Sequence, residues 1–456
     1  MRKVYIKGYI NFNNDGYTFI YEDKKLTLIS VKNKQSFFNE YKYVEFFEGF
    51  TLDGFDIVFY INSNIYYKDG CFICSPRCIL ISQKQENKLS EMKFDALRIT
   101  GDILNRFYSN RNMIEFDHDK YLTMGKDYFS FKSVEETISE EKVNLNNAET
   151  NFELSIIQPG WKDDGSIIFN NYDTLLRIKY NIGKCYADIL KDLGDIESFF
   201  KFCTNRNNIS FNNIFLEYKN EEKKYEKVVE IIVPYMIENE INKDMIEYEL
   251  IKGHLDDIFK FLDNSNYVFS IIPDDNKSFQ TLSNKDYCAA FSCFESIYQY
   301  IHSDVTKEKI TKEEIELEAV KEEILPLLEE CDKKYKGKSK IRRDFIKRFI
   351  NIISTANLKL EKCISNEIEE NDYVIDSIDY KRRDEIKKEG INNSISKAIA
   401  VRDDITHNKT IKLDNISIGI YKIVSKVNYI MILKHVGISK DEIKKTMKHL
   451  AIRNII

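Results

Sequence analysis

The sequence predicts an α+β protein of two domains, an antiparallel β-rich N-terminal domain followed by an all-α helical bundle. Three observations carry that expectation. Asp-Gly occurs at Asp15-Gly16, Asp53-Gly54, Asp69-Gly70 and Asp164-Gly165, always before residue 166 and never after it. Asp-Gly between alternating apolar residues is a strong hairpin signal, because the turn needs backbone that Gly adopts cheaply. Strand-like runs flank these turns, among them YTFIYE, LTLISV, FDIVFYI, CFICSPRCILIS, DYFSFK, FELSII and SIIFN. From residue 285 onward, apolar residues recur only at helical spacing.

Taken in order, residues 1–175 are therefore expected as hairpins, with Trp161 packed in the turn PGWKDDG. Residues 183–203 predict a helix, followed by two strands, ISFNNIFLEYK and KKYEKVVEIIVPYM, joined at Asn220–Glu222. The N-terminal domain is expected to close near residue 240, giving domain bounds of 1–240. A connector over 241–280 holds the helical stretch IEYELIKGHLDDIFKFL and an irregular stretch with Pro273. The helical domain, 281–456, opens with the stripe Tyr287, Ala290, Phe291, Phe294, Tyr298 and Ile301, with Glu295 at its edge. A Glu-rich helix over about 308–332 follows, then a long helix striped by Ile341, Phe345, Phe349, Ile352, Ala356 and Cys363. The helix leading to residue 408 and an amphipathic pair over 416–450 complete a bundle.

With 456 residues and 43% apolar composition, the chain is long enough for two or three packed cores. A formal charge of −6 argues against a chain that coats nucleic acid over its whole surface, but allows a local basic patch. MRKVYIKGYINFNND has no apolar core of a signal peptide. The most apolar stretch, Ile416–Val436, is interrupted by Lys422, Lys426, Lys434 and His435, so no membrane span is expected. Nine cysteines without an export signal fit reduced thiols in the cytoplasm.

The chemistry concentrates in ISKAIAVRDDITHN, Ile395–Asn408. Ile391, Ile395, Ala398, Ile399 and Ile405 form an apolar helical stripe, and Arg402 falls in its middle. A guanidinium there is costly unless it is paired. His407 follows five residues later, next to Asn408, a helix-stop residue. A permanent cation beside a group that titrates near neutrality suits phosphoryl chemistry: Arg holds a phosphate while His moves a proton. The bland alternative is that Arg402 neutralises a buried acid such as Glu295 while His407 merely ends a helix. Residues five apart on a helix diverge by about 140°. A two-fold dimer would set a second Arg402 and His407 opposite the first and make a composite groove.

Other stretches carry weaker signals. Arg111 and His118 repeat the spacing, but in a β-rich, turn-rich region. KKYKGKSKIRRDFIKR, Lys333–Arg348, holds nine basic residues and one acid; it could track an RNA backbone or balance the acidic helix before it. Cys71, Cys74 and Cys78 resemble part of a zinc site, but the fourth ligand zinc needs is lacking nearby, so buried strand cysteines and no metal are expected. No phosphate-binding Gly loop, dinucleotide fingerprint or HExxH stretch occurs, so no cofactor is expected.

An all-α domain with Arg-x4-His at a helix end resembles the HEPN superfamily, whose nucleases carry Arg-x4–6-His. The order of parts is similar to ApeA-type anti-phage proteins. Gly49–Ile61, GFTLDGFDIVFYI, resembles a Gly-x-Thr-x-Asp-Gly strand pair of that family's N-terminal domain. Phe294–Ile301, FESIYQYI, is similar to its early helix with a Glu among apolar residues. The resemblance implies a cytoplasmic HEPN endoribonuclease of anti-phage defence by abortive infection. It would cleave RNA, tRNA being one candidate, by 2′-OH attack without metal, as a homodimer with facing motifs. It places Arg402 and His407 at the catalytic positions and Asp403 at the polar position after the Arg. It also implies an N-terminal sensor of a phage-derived trigger. Family members often carry Gly soon after the His, where this chain has Asn408 and Lys409. The alternative is a non-catalytic protein whose β domain recognises a ligand and whose helices dimerise.

Overall fold

The computed structural model describes residues 5–450 apart from 14, 31–43, 62, 84–87, 109–113, 117–128, 132–134, 158–172, 210, 212, 235–244, 275, 304–311, 336–338, 355–359 and 408–410. Trp161, the Asp164-Gly165 turn, SIIFN, Arg111 and His118 lie outside the described residues. The chain forms an N-terminal antiparallel sheet followed by helices, the α+β arrangement expected. It divides into two compact units, the first mainly Met1–Asn264 and the second mainly Lys277–Lys448.

The first unit is built on one 14-stranded antiparallel sheet. Its first half holds β1 (Ile6–Phe12), β2 (Asp15–Glu22), β3 (Lys25–Ser30), β4 (Phe46–Thr51), β5 (Asp56–Ile61), β6 (Tyr66–Lys68), β7 (Cys71–Cys74) and β8 (Pro76–Ser82). CFICSPRCILIS thus becomes two strands, because β7 pairs with β3 and β6 while β8 pairs with β5 and with the strand Tyr225–Ile232. Inward residues of β2 and β5 meet in one core, where Phe19 and Phe59 contact edge to face at 5.1 Å. Asp69-Gly70 forms the β6–β7 turn, with φ of 53° and 82°. Gly49 is needed for a close approach: a Cβ there would stand 2.1 Å from the Tyr9 carbonyl oxygen.

The second half adds β9 (Phe94–Thr100), β10 (Ile114–Phe116), β11 (Phe129–Phe131), β12 (Glu135–Leu145), β13 (Ala148–Ile157), β14 (Asp173–Lys184), β15 (Asn213–Lys219) and β16 (Tyr225–Ile232). All but β10 and β11, which pair with each other, belong to the large sheet. Between its strands come α1 (Asp102–Phe107) and α2 (Tyr186–Thr204), and after them α3 (Leu255–Asn264). The helix expected from 183 begins at Tyr186, because Lys184 still pairs with Phe94 across the sheet. Phe199 of α2 stacks on Phe259 of α3 at 4.8 Å, so the stretch read as a connector divides between the two units.

The second unit is helical: α4 (Asn284–Ser303), α5 (Lys312–Tyr335), α6 (Lys340–Ser354), α7 (Leu360–Glu370), α8 (Tyr380–Glu389), α9 (Ile391–Thr406), α10 (Asn415–His435) and α11 (Lys440–His449). Local signals set the ends. Asp379 and Asp414 cap α8 and α10 by accepting from Arg382 and Ser417 backbone N–H groups. Ser283 with Asp286, and Ser439 with Glu442, exchange reciprocal capping bonds at α4 and α11. Gly390, at φ 86°, separates α8 from α9.

Helix α10 is the centre of this unit, packing against α4, α7, α8 and α9. By length and composition it is the one helix among the described residues able to cross a membrane, yet 83% of its most apolar window is buried inside the protein. Its apolar character thus serves a core. Lys426, deep in that core, donates to the carbonyls of Ser377 and Met447 at 3.3 and 3.1 Å, which end a short helical turn and lie near the end of α11. The expected long striped helix is two elements, α6 and α7. Cys363 is buried, whereas Phe345 and Phe349 face outward, because α6 uses a different stripe against α5.

Candidate functional site

Arg402 lies near the C-terminal end of α9, whose residues Ser394, Ile395 and Ala398 are buried in the bundle. Helix α4 runs alongside and fixes that end through backbone carbonyls. The Tyr287 hydroxyl donates to the Ala398 carbonyl at 2.9 Å, and the Cys288 thiol lies 3.8 Å from the Arg402 carbonyl. Asn428 of α10 donates to the Ala290 carbonyl at 3.1 Å, tying α4 to the central helix. These polar ties were not visible as a sequence pattern, since Tyr287 and Ala398 each look like plain members of an apolar stripe.

The Arg402 guanidinium points to α4, where its Nη2 donates to Glu295 Oε2 at 2.7 Å. Its Nη1 is 3.7 Å from Asp403 Oδ1, and its Nε is buried with no hydrogen-bond partner. The side chains of Arg402 and Glu295 retain 20% and 36% of their exposure, so the pair sits at a boundary between core and solvent. Burial raises the Cys288 thiol pKa, against the opposing pull of Arg402.

His407 caps α9 and is exposed; its backbone N–H donates to the Asp403 carbonyl at 3.0 Å. Its imidazole forms no hydrogen bond or ion pair with Arg402, Asp403 or Glu295. The structure therefore joins Arg402, Asp403 and Glu295 by charge, and places His407 beside them on the chain, its ring tied to none of the three. Asn408 and Lys409, where the family pattern departs, lie outside the described residues.

Elsewhere, burial pushes the Cys74 and Cys78 thiols up to about 12. No cluster of three or more His, Cys, Asp or Glu among the described residues could hold a metal ion. No protein-family model, curated protein or solved structure matches the chain.

Proposed function

We propose that the chain is a metal-independent endoribonuclease of the HEPN type, acting as a homodimer through its helical unit. The observation that carries the reading is the end of α9, where a half-buried guanidinium with an unpartnered Nε stands five residues from an exposed histidine. In the proposed reaction His407 takes the proton from the 2′-OH, whose oxygen attacks the adjacent phosphorus. Arg402 holds the non-bridging oxygens as charge develops, and the 5′-oxygen leaves with a proton returned by imidazole. Asp403 and Glu295 orient the guanidinium. The products are a 2′,3′-cyclic phosphate and a 5′-hydroxyl. The first unit serves as the sensor of a phage-derived trigger in the cytoplasm, and the reaction supports abortive infection.

One observation favours a second reading, a binding protein that dimerises without catalysis: Glu295 already satisfies part of Arg402 without any substrate. Incubating the purified protein with RNA in EDTA separates the two. The nuclease reading expects cleavage to persist and the 3′ ends to be cyclic phosphates. Activity that vanishes in EDTA and returns with magnesium would overturn the mechanism. His118→Ala, in the first unit, is expected to leave cleavage intact; its loss in a folded variant would move the site away from α9.

A further inference from the structure

Helices α5 and α6 pack against each other, and each carries two helical stripes. The inner stripe of α5 is Lys321, Leu325, Leu328, Asp332 and Tyr335, all buried or half-buried. That of α6 is Arg343, Ile346 and Ile350, half-buried in turn. Arg343 Nε meets Asp332 at 3.0 Å and the Arg342 guanidinium lies 5.5 Å from the Tyr335 ring centre, so these stripes close on one another.

The outer stripe of α5 is Val320, Ile324, Leu327 and Cys331, at intervals of four, three and four residues. That is the a/d spacing of a coiled-coil seam. On α6, Phe345 and Phe349 stand one turn apart with ring centres 4.9 Å from each other. Val320, Leu327, Phe345 and Phe349 remain 47, 60, 60 and 42% exposed. A pair of helices with one seam closed and a second open is half of a four-helix bundle.

Charge chooses the occupant. Glu316, Glu323 and Glu330 are exposed beside the open seam of α5, seven residues apart. Arg348 is exposed beside the open seam of α6, and Arg342, whose guanidinium lies over the Tyr335 ring, is exposed one turn before Phe345. The face is acidic on one helix and basic on the other. A nucleic-acid backbone or an anionic bilayer would meet repulsion from the glutamates along α5. A second copy turned about a two-fold axis sets Glu323 and Glu330 of α5 against the basic residues of the partner's α6, although Lys333 and Lys334 end α5 and Asp344 interrupts α6.

We propose that this open face seats a second copy of the chain, the two helix pairs closing as a four-helix bundle with α5 of each copy against α6 of the other. The face lies on α5 and α6 and not on α9, so this pairing stands independently of the ribonuclease reading, whose dimer sets the two α9 ends opposite each other.

The test is a mass measurement on full-length protein at micromolar concentration, with thermal melts to show that each variant is folded. Wild type is expected at about twice the 53.9 kDa chain mass. Phe345→Glu with Phe349→Glu should give a monomer. Glu323→Arg with Glu330→Arg, and separately Arg342→Glu with Arg348→Glu, should each weaken pairing at least about ten-fold, by setting like charges across the seam. Mixing these two charge variants should restore a dimer, one chain of each kind. A monomeric wild type, a dimer indifferent to all these changes, or folded charge variants that stay apart on mixing would overturn the proposal. So would Arg342→Glu with Arg348→Glu abolishing binding of an oligouridine or of phosphatidylserine vesicles while the mass stays unchanged. Cleavage assayed on the same samples keeps the two ideas apart. An inactive wild-type dimer sinks the nuclease and leaves the bundle, whereas a fully active monomer overturns the bundle and the homodimer of the ribonuclease reading but leaves its chemistry.

Discussion

Arg402 is a cation shared between two duties, and the two make different demands on its neighbours. A fully buried ion pair, once broken, leaves a stranded charge and costs about 3–5 kcal/mol. The Arg402–Glu295 pair is partly exposed, so Arg402→Ala is expected to cost only about 1 kcal/mol. If the residue works on phosphate, the same change removes most RNA cleavage, and His407→Ala does so with no loss of melting temperature. The double variant should then be little worse than either single one, since the two act as a unit. Thermal melts and cleavage assays decide it: a badly destabilised Arg402→Ala beside a fully active His407→Ala would end the ribonuclease reading. The pairing itself was legible in the sequence, because an arginine within an apolar stripe must find an acid and Glu295 sits at the edge of the facing stripe. Its partial exposure was not, since spacing says which residues share a face but not how deep that face lies.

Among the elements, α10 shows how a helix can be apolar enough for a bilayer and still hold cations. Burial, with the nearby Lys422 charge adding to it, lowers Lys426 to about 8. An unfolded lysine titrates near 10.4. Below about pH 8 the ammonium is charged in both states and its desolvation cost is constant. Between about 8 and 10.4 the unfolded chain binds more protons than the folded one, so stability rises with pH across that window. Relative to Lys426→Met, wild type should therefore gain up to about 3 kcal/mol between pH 7 and pH 11. Urea melts of both proteins at the two pH values check this, and a flat difference would mean the lysine titrates normally. Helices were the easier elements to read. The existence of α4, α9 and α10 follows from period alone, whereas their caps at Ser283, Gly390 and Asp414 emerged only with the structure. What period could not say is which of two stripes on α6 faces the protein. The start of α2 was misplaced for another reason: the pairing of Lys184 with Phe94 is non-local, and it outweighed the helical preference of the residues around it.

At the scale of the whole molecule, the large sheet is not laid down in chain order. Most of β1–β8 pair with near neighbours, but β9 lies between β14 and β15, and β8 pairs with β16. The pairing of Ile79 with Ile232 closes the largest gap. During biosynthesis, then, a chain released to about residue 210 has made β8 and β9 without β15 and β16 to cover them. Both expose a strand edge, and both carry buried apolar residues, Ile79 and Leu80 on one, Leu97 and Ile99 on the other. Open apolar edges invite pairing with other chains. Fragment 1–210 is expected to aggregate and fragment 1–264 to stay dispersed, as light scattering on the two would show; a well-behaved shorter fragment would mean the early strands close among themselves. On a polysome, neighbouring nascent chains stand close together while this edge is uncovered. The interval between translating β9 and translating β16 is thus when the protein most needs a chaperone, and slow codons there would lengthen the exposure rather than aid folding.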